Sequence, residues 1–386
     1  MKRTLFLLTV LLGIQCFGLA SEPDATVITE IDNHQMLHVD EAILKSIKNK
    51  EIPGAVLAVV HRDKIVYLKA YGNKQTYPEV VKMKTNTVFD LASLTKVVST
   101  ATSIMLLTER GKIRLTDPVS LYIPGFNDSI QIIHLLTHTS GLPSYVKVDS
   151  LKKIQTENPD VLNQHIASVL IKSEPGKEFL YSCLNFIILQ EIVEKVSGQN
   201  LRDFAKANIF DELGMKNTDY CPSEKELKQI APTSKQADNK ILLGTVHDPI
   251  ARELKKGISG NAGLFSDAKD LAIFSMALIN NGNFKGKQIL SPLTVKTMTT
   301  VPQEFNCFGR TPGWDISSKY SSCKGNLLGP NTYGHTGYTG TSIVIDPDNQ
   351  IAIILLTNRV HPDDKGSVTR LRALVANAVA GAVEIE

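Results

Sequence analysis

Phe89-Asp90-Leu91-Ala92-Ser93-Leu94-Thr95-Lys96, followed by the apolar run Val97 to Leu107 and then Thr108-Glu109-Arg110-Gly111, is the stretch whose reading decides the fold. Residues 94–107 are rich in Val, Ala, Ile, Met and Leu, and Gly111 falls where a helix C-cap belongs. The stretch therefore reads as a buried helix with Ser93 at its N-terminus. Ser93 and Lys96 then share one helix face, one turn apart. A lysine held there and partly desolvated is expected to shed its proton and take one from the serine hydroxyl. That is the chemistry of a nucleophilic serine that needs no catalytic histidine. First-turn N–H groups beside it can help hold an oxyanion.

Spacing alone decides nothing, because Ser-x-x-Lys recurs at Ser144/Lys147, Ser150/Lys153, Ser266/Lys269 and Ser321/Lys324. Those copies fall in polar, loop-like or surface-helix surroundings, whereas Ser93 opens an apolar helix.

Outward from this helix, Ala55 to Val60 and Ile65 to Gly72, joined through His61-Arg62-Asp63-Lys64, read as a β-hairpin. Near the far end, Gly340 to Ile345 and Ile351 to Thr357, joined through Asp346 to Gln350, read as another. A last helix is expected from about Gly366 to Val383. Between them, Val161 to Lys172, Leu184 to Val196, Leu201 to Leu213 and Ala268 to Asn281 look helical, with Gly198 and Gly282 as stops. The expected fold class is α+β: an antiparallel sheet built from both ends of the chain, flanked by helices, with an inserted α-rich lobe. The expected division is 21–105 and 285–386 for the two parts of the α/β lobe and 106–284 for the α-rich lobe, with the site in the cleft between lobes.

Residues 1–20 read as a signal peptide: Lys2 and Arg3, an apolar stretch from Leu5 to Ile14, and Gly18-Leu19-Ala20 as a cleavage site before Ser21. Export to the periplasm or the medium follows. Cys16 raises a lipoprotein reading, which Gln15 disfavours because a small residue belongs there. The apolar run is too short to span a membrane. Net charge is +3, and +1 once Lys2 and Arg3 are gone, so nothing points to nucleic acid or an anionic membrane surface. A hydrophobic share of 42% with 21% charged residues is that of a globular protein. Cys183, Cys221, Cys307 and Cys323 form no Cys-x-x-Cys pair, which argues against a zinc or redox motif. Cys307 and Cys323 are the candidate disulfide of an oxidising compartment, a pairing the sequence leaves open.

A serine–lysine pair needs a second proton carrier and a place for the oxyanion. Phe179-Leu180-Tyr181-Ser182-Cys183-Leu184-Asn185 places a tyrosine just before a helix, and a tyrosine near cations can shuttle protons. Tyr333-Gly334-His335-Thr336-Gly337-Tyr338-Thr339-Gly340 is a glycine-rich approach to the last hairpin, where the Tyr338 N–H offers a second oxyanion donor. His134 and His138 have metal-ligand spacing, but the intervening residues lack the glutamate of a metalloprotease helix, so both read as structural. His247-Asp248 lacks a nucleophile elbow and reads as a hydrogen-bonded loop.

In this order, the three motifs resemble those of serine β-lactamase-like hydrolases: class C β-lactamases, D-alanyl-D-alanine carboxypeptidases and related esterases. Ser93-Leu94-Thr95-Lys96 matches the nucleophile motif, Tyr181-Ser182-Cys183 the family's Tyr-x-Asn, and His335-Thr336-Gly337 its Lys/His-Thr-Gly. Leu135 to Leu142 and Gly260 to Ser266 also look like family segments, and the resemblance runs from about residue 37 to 380. It implies a Ser93 acyl-enzyme and proton transfer by Lys96 and Tyr181. The N–H groups of Ser93 and Tyr338 would form the oxyanion hole, with substrate contacts from Cys183, His335, Thr336, Gly337 and Tyr338. No cofactor or metal is implied. Cys183 departs from the family's asparagine, because a thiol cannot copy a two-sided amide; Asn185 is expected to point elsewhere. His335 is only partly charged at neutral pH and attracts a carboxylate weakly. The expected substrate is peptide-like, such as a cell-wall D-alanyl peptide. Alternatives are a small ester, a β-lactam, or a non-catalytic peptidoglycan-sensing role.

Overall fold

The computed structural model describes residues 31–152, 160–321 and 323–383; the signal-peptide and Cys16 readings lie outside them. Along the chain run β1 (Gly54–His61), β2 (Lys64–Gln75), β3 (Val81–Lys82) and β4 (Phe89–Asp90), then β5 (Asp219–Tyr220) and β6 (Leu264–Ser266). A short hairpin follows, β7 (Asn283–Phe284) with β8 (Lys287–Gln288), and then β9 (Tyr333–Thr336), β10 (Ser342–Asp346) and β11 (Ile351–Thr357). Six of these form one antiparallel sheet in the order β3-β2-β1-β11-β10-β9, so the two ends of the chain do meet, at the β1–β11 pair. Both expected hairpins are present, the first closing tightly through Arg62, whose φ of 57° is the left-handed conformation such a turn requires.

The centre of this sheet is apolar on both faces, and alternation along the strands feeds two cores. Val56, Ala58 and Val60 of β1, with Ala352, Ile354 and Leu356 of β11, enter the larger core. Ala55, Leu57, Val59, Ile351, Ile353 and Leu355 face the opposite way. There they meet the N-terminal helix Met36–Lys48, which the hydrophobic pattern did not disclose, and the last helix Thr369–Ala380. Helix Ala268–Ile279 packs on β1, β10 and β11, so it joins the sheet layer and not the middle segment with which it was grouped. The remaining middle helices, led by Cys183–Ser197, share the larger core with the nucleophile helix.

That helix is less regular than its sequence suggests. Ala92–Leu94 is a 3₁₀ turn, Lys96–Ala101 winds as a π-helix, and only Thr102–Glu109 is α-helical, with Gly111 left-handed just beyond it at φ 65°. The Thr102 hydroxyl donates to the carbonyl five residues back, on Val97, at 2.7 Å. Wide turns of this kind are rare and concentrate at functional sites.

Candidate active site

Ser93 sits at the end of a tightly held turn. β4 pairs with β6, and Ala92 takes a φ of 46°, strained for a residue with a Cβ. Asp90, wholly buried, holds the turn: its Oδ1 accepts the Ala92 N–H at 2.9 Å and its Oδ2 the His247 N–H at 2.7 Å. The Thr339 hydroxyl donates to the Asp90 carbonyl at 2.7 Å and that of Thr341 to the Leu91 carbonyl at 3.0 Å. A Cβ on Gly337 would collide with that Leu91 oxygen, so glycine is needed for β9 and its turn to come this close. Burial lifts the Asp90 carboxyl to about 6, against the lowering effect of its two N–H donors.

Lys96 is fully buried, and its Nζ lies 2.9 Å from Ser93 Oγ and 2.8 Å from the Asn261 carbonyl oxygen, to which it donates. Burial, the largest influence, pushes this ammonium down, but the Cys183 and Tyr181 groups raise it, and the net direction is up. That is opposite to the direction expected of a desolvated base, because the pull of the Cys183 and Tyr181 groups outweighs burial. The Tyr181 ring centroid is 5.3 Å from Nζ.

Cys183 is half-buried, with Sγ 3.7 Å from Lys96 Nζ, and burial raises its thiol. It lies beside Lys96 and, like Lys96, is not among the residues that line the cleft over Ser93. Asn185 points elsewhere, as expected, accepting from Ser140 Oγ at 2.7 Å and donating to the Leu135 carbonyl at 3.1 Å. All four described cysteines are free, including Cys307 and Cys323, the candidate disulfide pair.

A cleft of about 430 Å³ opens over Ser93, lined by Tyr181, His335, Thr336, Gly337 and Tyr338. His335 is buried, and desolvation together with the Arg310 and Lys96 charges holds it well below the usual imidazole range. It is neutral, so it cannot supply even the partial charge foreseen. Its Nδ1 lies 3.0 Å from the Thr336 carbonyl oxygen and must donate there, which leaves Nε2 as a buried acceptor with no partner among the described residues. Tyr338 is 58% exposed; its hydroxyl donates to Asp364 at 2.9 Å and its ring stacks on His247 at 5.5 Å.

Positive charge enters the cleft from residues no local motif revealed. Arg310 is buried and paired with Asp315 at 3.0 Å, and Arg359 pairs with Asp364 at 2.9 Å. Arg372 is 8% exposed and has no carboxylate partner among the described residues. Its Nη2 donates to the Gly337 and Thr341 carbonyls at 3.0 and 2.8 Å, while Nε has no partner. Burial lowers it to about 10, which leaves it charged at neutral pH. It lies in the first turn of the last helix, whose N-cap residue, Val368, supplies no capping side chain; Ser367, Val368 and Thr369 line the same cleft.

His134, Asp248 and Ser266 do other work. His134 Nδ1 accepts the Gln131 N–H at 3.1 Å in a helix cap, and Asp248 caps the helix Pro249–Glu253. Ser266 is buried within β6, not on a surface, and hydrogen-bonds Thr218.

A serine hydroxyl within hydrogen-bond reach of a buried lysine, in a cleft between a helical layer and an antiparallel sheet, is the arrangement of a serine hydrolase. Known proteins make the identification specific. The Beta-lactamase family model matches residues 39–377, and the chain belongs to that family. A protein of Escherichia coli (strain K12) bearing the name "Putative D-alanyl-D-alanine carboxypeptidase" is 31% identical over 402 residues, covering 94% of this chain and 92% of its own. An N-acetylmuramyl-L-alanine amidase of Bacillus subtilis (strain 168) is 30% identical, covering 93% of this chain and 91% of its own. A class C beta-lactamase structure superposes with a TM-score of 0.72 at 20% identity, over 92% of this chain and 97% of that one. EstCE1, a hydrolase with promiscuous acyltransferase activity, gives 0.70 at 22% identity, over 90% and 98%; at such identities the likeness is one of fold.

Proposed function

We propose that the protein is an exported amide hydrolase acting on peptidoglycan-derived peptides that carry a free carboxylate, through an acyl-enzyme on Ser93. The observation that carries this reading is the 2.9 Å approach of Lys96 Nζ to Ser93 Oγ inside the cleft. Ser93 Oγ attacks the amide carbonyl, and the N–H groups of Ser93 and Tyr338 receive the oxyanion. The Lys96–Tyr181 pair takes the serine proton: the member that is deprotonated accepts it, and the protonated member stabilises the charge that develops. The pair then returns a proton to the leaving amine, and water releases the acyl group by the same route in reverse. The substrate carboxylate rests against Arg372 and the uncapped helix start, assisted by Thr336, while neutral His335 contributes an acceptor. The names of the two relatives favour this class: one speaks of a D-alanyl-D-alanine carboxypeptidase and the other of an N-acetylmuramyl-L-alanine amidase, and each bond so named is an amide.

Intact-protein mass spectrometry with turnover tests it, using an acyl-D-Ala-D-Ala peptide, a muramyl-L-alanyl peptide, nitrocefin and p-nitrophenyl acetate. The expected result is a transient adduct with product release on a peptidoglycan amide, absent in Ser93→Ala, which loses about 10⁴-fold or more in rate while staying folded. Normal turnover by Ser93→Ala defeats the mechanism. A stable adduct without release indicates a sensor, and turnover of the ester or nitrocefin alone defeats the substrate class.

A further inference from the structure

We infer that His138 is a positioning residue for the Tyr181 ring, gripping the chain on both sides of that tyrosine and stacking beneath it; this rests on Tyr181 as a proton carrier. The His138 carbonyl accepts the N–H of Leu180 at 2.9 Å, the residue before Tyr181. Its ring Nδ1 accepts the N–H of Ser182 at 3.1 Å, the residue after. Between these anchors the imidazole lies 4.3 Å from the Tyr181 ring centroid at 29°, a stacked pair. One residue thus fixes the backbone entering and leaving Tyr181 and the plane of its ring.

The grip depends on a particular backbone and a particular tautomer. His138 has a φ of 58°, the left-handed conformation that turns its carbonyl and its ring toward the same neighbouring segment. Accepting at Nδ1 places the ring proton on Nε2, which is buried with no partner among the described residues. Only the neutral ring can do this, since protonation would set an Nδ1–H against the Ser182 N–H. Burial and the nearby charges of Arg310 and Lys96, with His335 beyond them, keep His138 far below the usual imidazole range. The groups facing this ring are therefore Lys96, Arg310, His335 and Tyr181 itself, and none is a carboxylate that would favour its protonation. Phe186 closes the site from a further side at 5.2 Å.

Side-chain geometry separates the two parts of the grip. His138→Phe keeps an aromatic face but removes the acceptor, whereas Asn places an amide oxygen near the position of Nδ1 without the ring. Pre-steady-state acylation with the best substrate is followed in both, alongside an ultraviolet titration of tyrosine ionisation. His138→Phe is expected to slow acylation about tenfold or more at unchanged KM and to shift one tyrosine transition. His138→Asn is expected to recover part of that loss. Tyr181→Phe separates this inference from the reading beneath it. If Tyr181→Phe acylates normally, Tyr181 is not the proton carrier. If Tyr181→Phe is crippled but His138→Phe acylates normally with an unshifted titration, the positioning role is overturned. In the Tyr181→Phe background, adding His138→Phe is expected to cost nothing further in acylation; an equal second loss marks a merely structural histidine. Should His138→Phe fail to fold, His138→Asn carries the test, and wild-type acylation with a wild-type titration overturns the inference.

Discussion

The two walls of the Ser93 cleft are built on opposite principles. On the nucleophile wall the cation is satisfied from within: Lys96 meets Ser93 Oγ and the Asn261 carbonyl, with the Cys183 thiol and the Tyr181 ring beside it. On the sheet wall Arg310 and Arg359 have carboxylate partners, but Arg372 is buried with two carbonyl contacts and no counter-ion among the described residues. Lys96 has no ion pair among the described residues either, but its ammonium has three acceptors, whereas Arg372 keeps an unmet Nε donor that a ligand could satisfy. The proposed function accordingly places the chemistry on the first wall and recognition on the second.

The strongest way to break that assignment is to loosen the nucleophile wall without touching a reacting group. Asp90→Asn keeps the shape of the side chain but turns an NH₂ toward either the Ala92 or the His247 N–H, both of which now donate to carboxylate oxygens. Letting the Ser93 turn drift is expected to lower kcat about 100-fold with KM little changed. Acidity sharpens the test. The folded pKa of Asp90, about 6, lies above its unfolded value, so the folded state binds this proton more tightly. As pH falls through about 6 the group gains stability while losing an acceptor oxygen at the turn. Wild-type kcat is therefore expected to fall below about pH 6, and the limb to vanish in Asp90→Asn. The Tm difference, wild type minus variant, should meanwhile grow between pH 7 and pH 4.5. A variant within twofold of wild type in kcat at pH 7 removes the turn from the mechanism.

The recognition wall is challenged next. Arg372→Met is expected to raise KM about tenfold or more for a peptide with a free carboxylate, the loss of one charge-assisted contact, and Arg372→Lys to recover part of it. The amide of the same peptide serves as control, because Arg372 also holds the Gly337 and Thr341 carbonyls. Equal losses on both substrates make Arg372 a structural brace and return the carboxylate to another group.

How much of each wall was legible follows the same division. The nucleophile, its lysine and the hairpins sit in local patterns: an apolar helix after Ser93, period-two strands with a tight turn, glycines at stops. Each is decided by neighbours in sequence. Arg310 and Arg372 carry no such pattern, since an isolated arginine reads the same on a surface or in a cleft; only the return of the last helix beneath the Gly337 turn gives Arg372 its place. The surroundings of Lys96 lie outside local pattern for a related reason. Its spacing from Ser93 is local, but the Tyr181 and Cys183 groups beside its ammonium arrive from another segment. The N-terminal helix Met36–Lys48 also escaped notice, its packing face set by the sheet it covers.

Cys183 stands where the two walls are hardest to separate, and it should show the smallest effect. As a substrate contact it would govern the acylamino side; as placed, its sulfur faces Lys96 at 3.7 Å and the Ser93 cleft is lined without it. An asparagine there offers the ammonium a carbonyl oxygen, a stronger acceptor than sulfur, and that contact is neutral with respect to the substrate's acylamino group. Cys183→Asn is therefore expected to change kcat by about two- to tenfold, the range of one hydrogen bond, and by the same factor for substrates with and without an acylamino group. Steady-state kinetics on such a matched pair decides it. A selective gain in kcat/KM for the acylamino member would move Cys183 from the reaction wall to the recognition wall. The boundary between the two would then run through the start of helix Cys183–Ser197, not between the helical layer and the sheet.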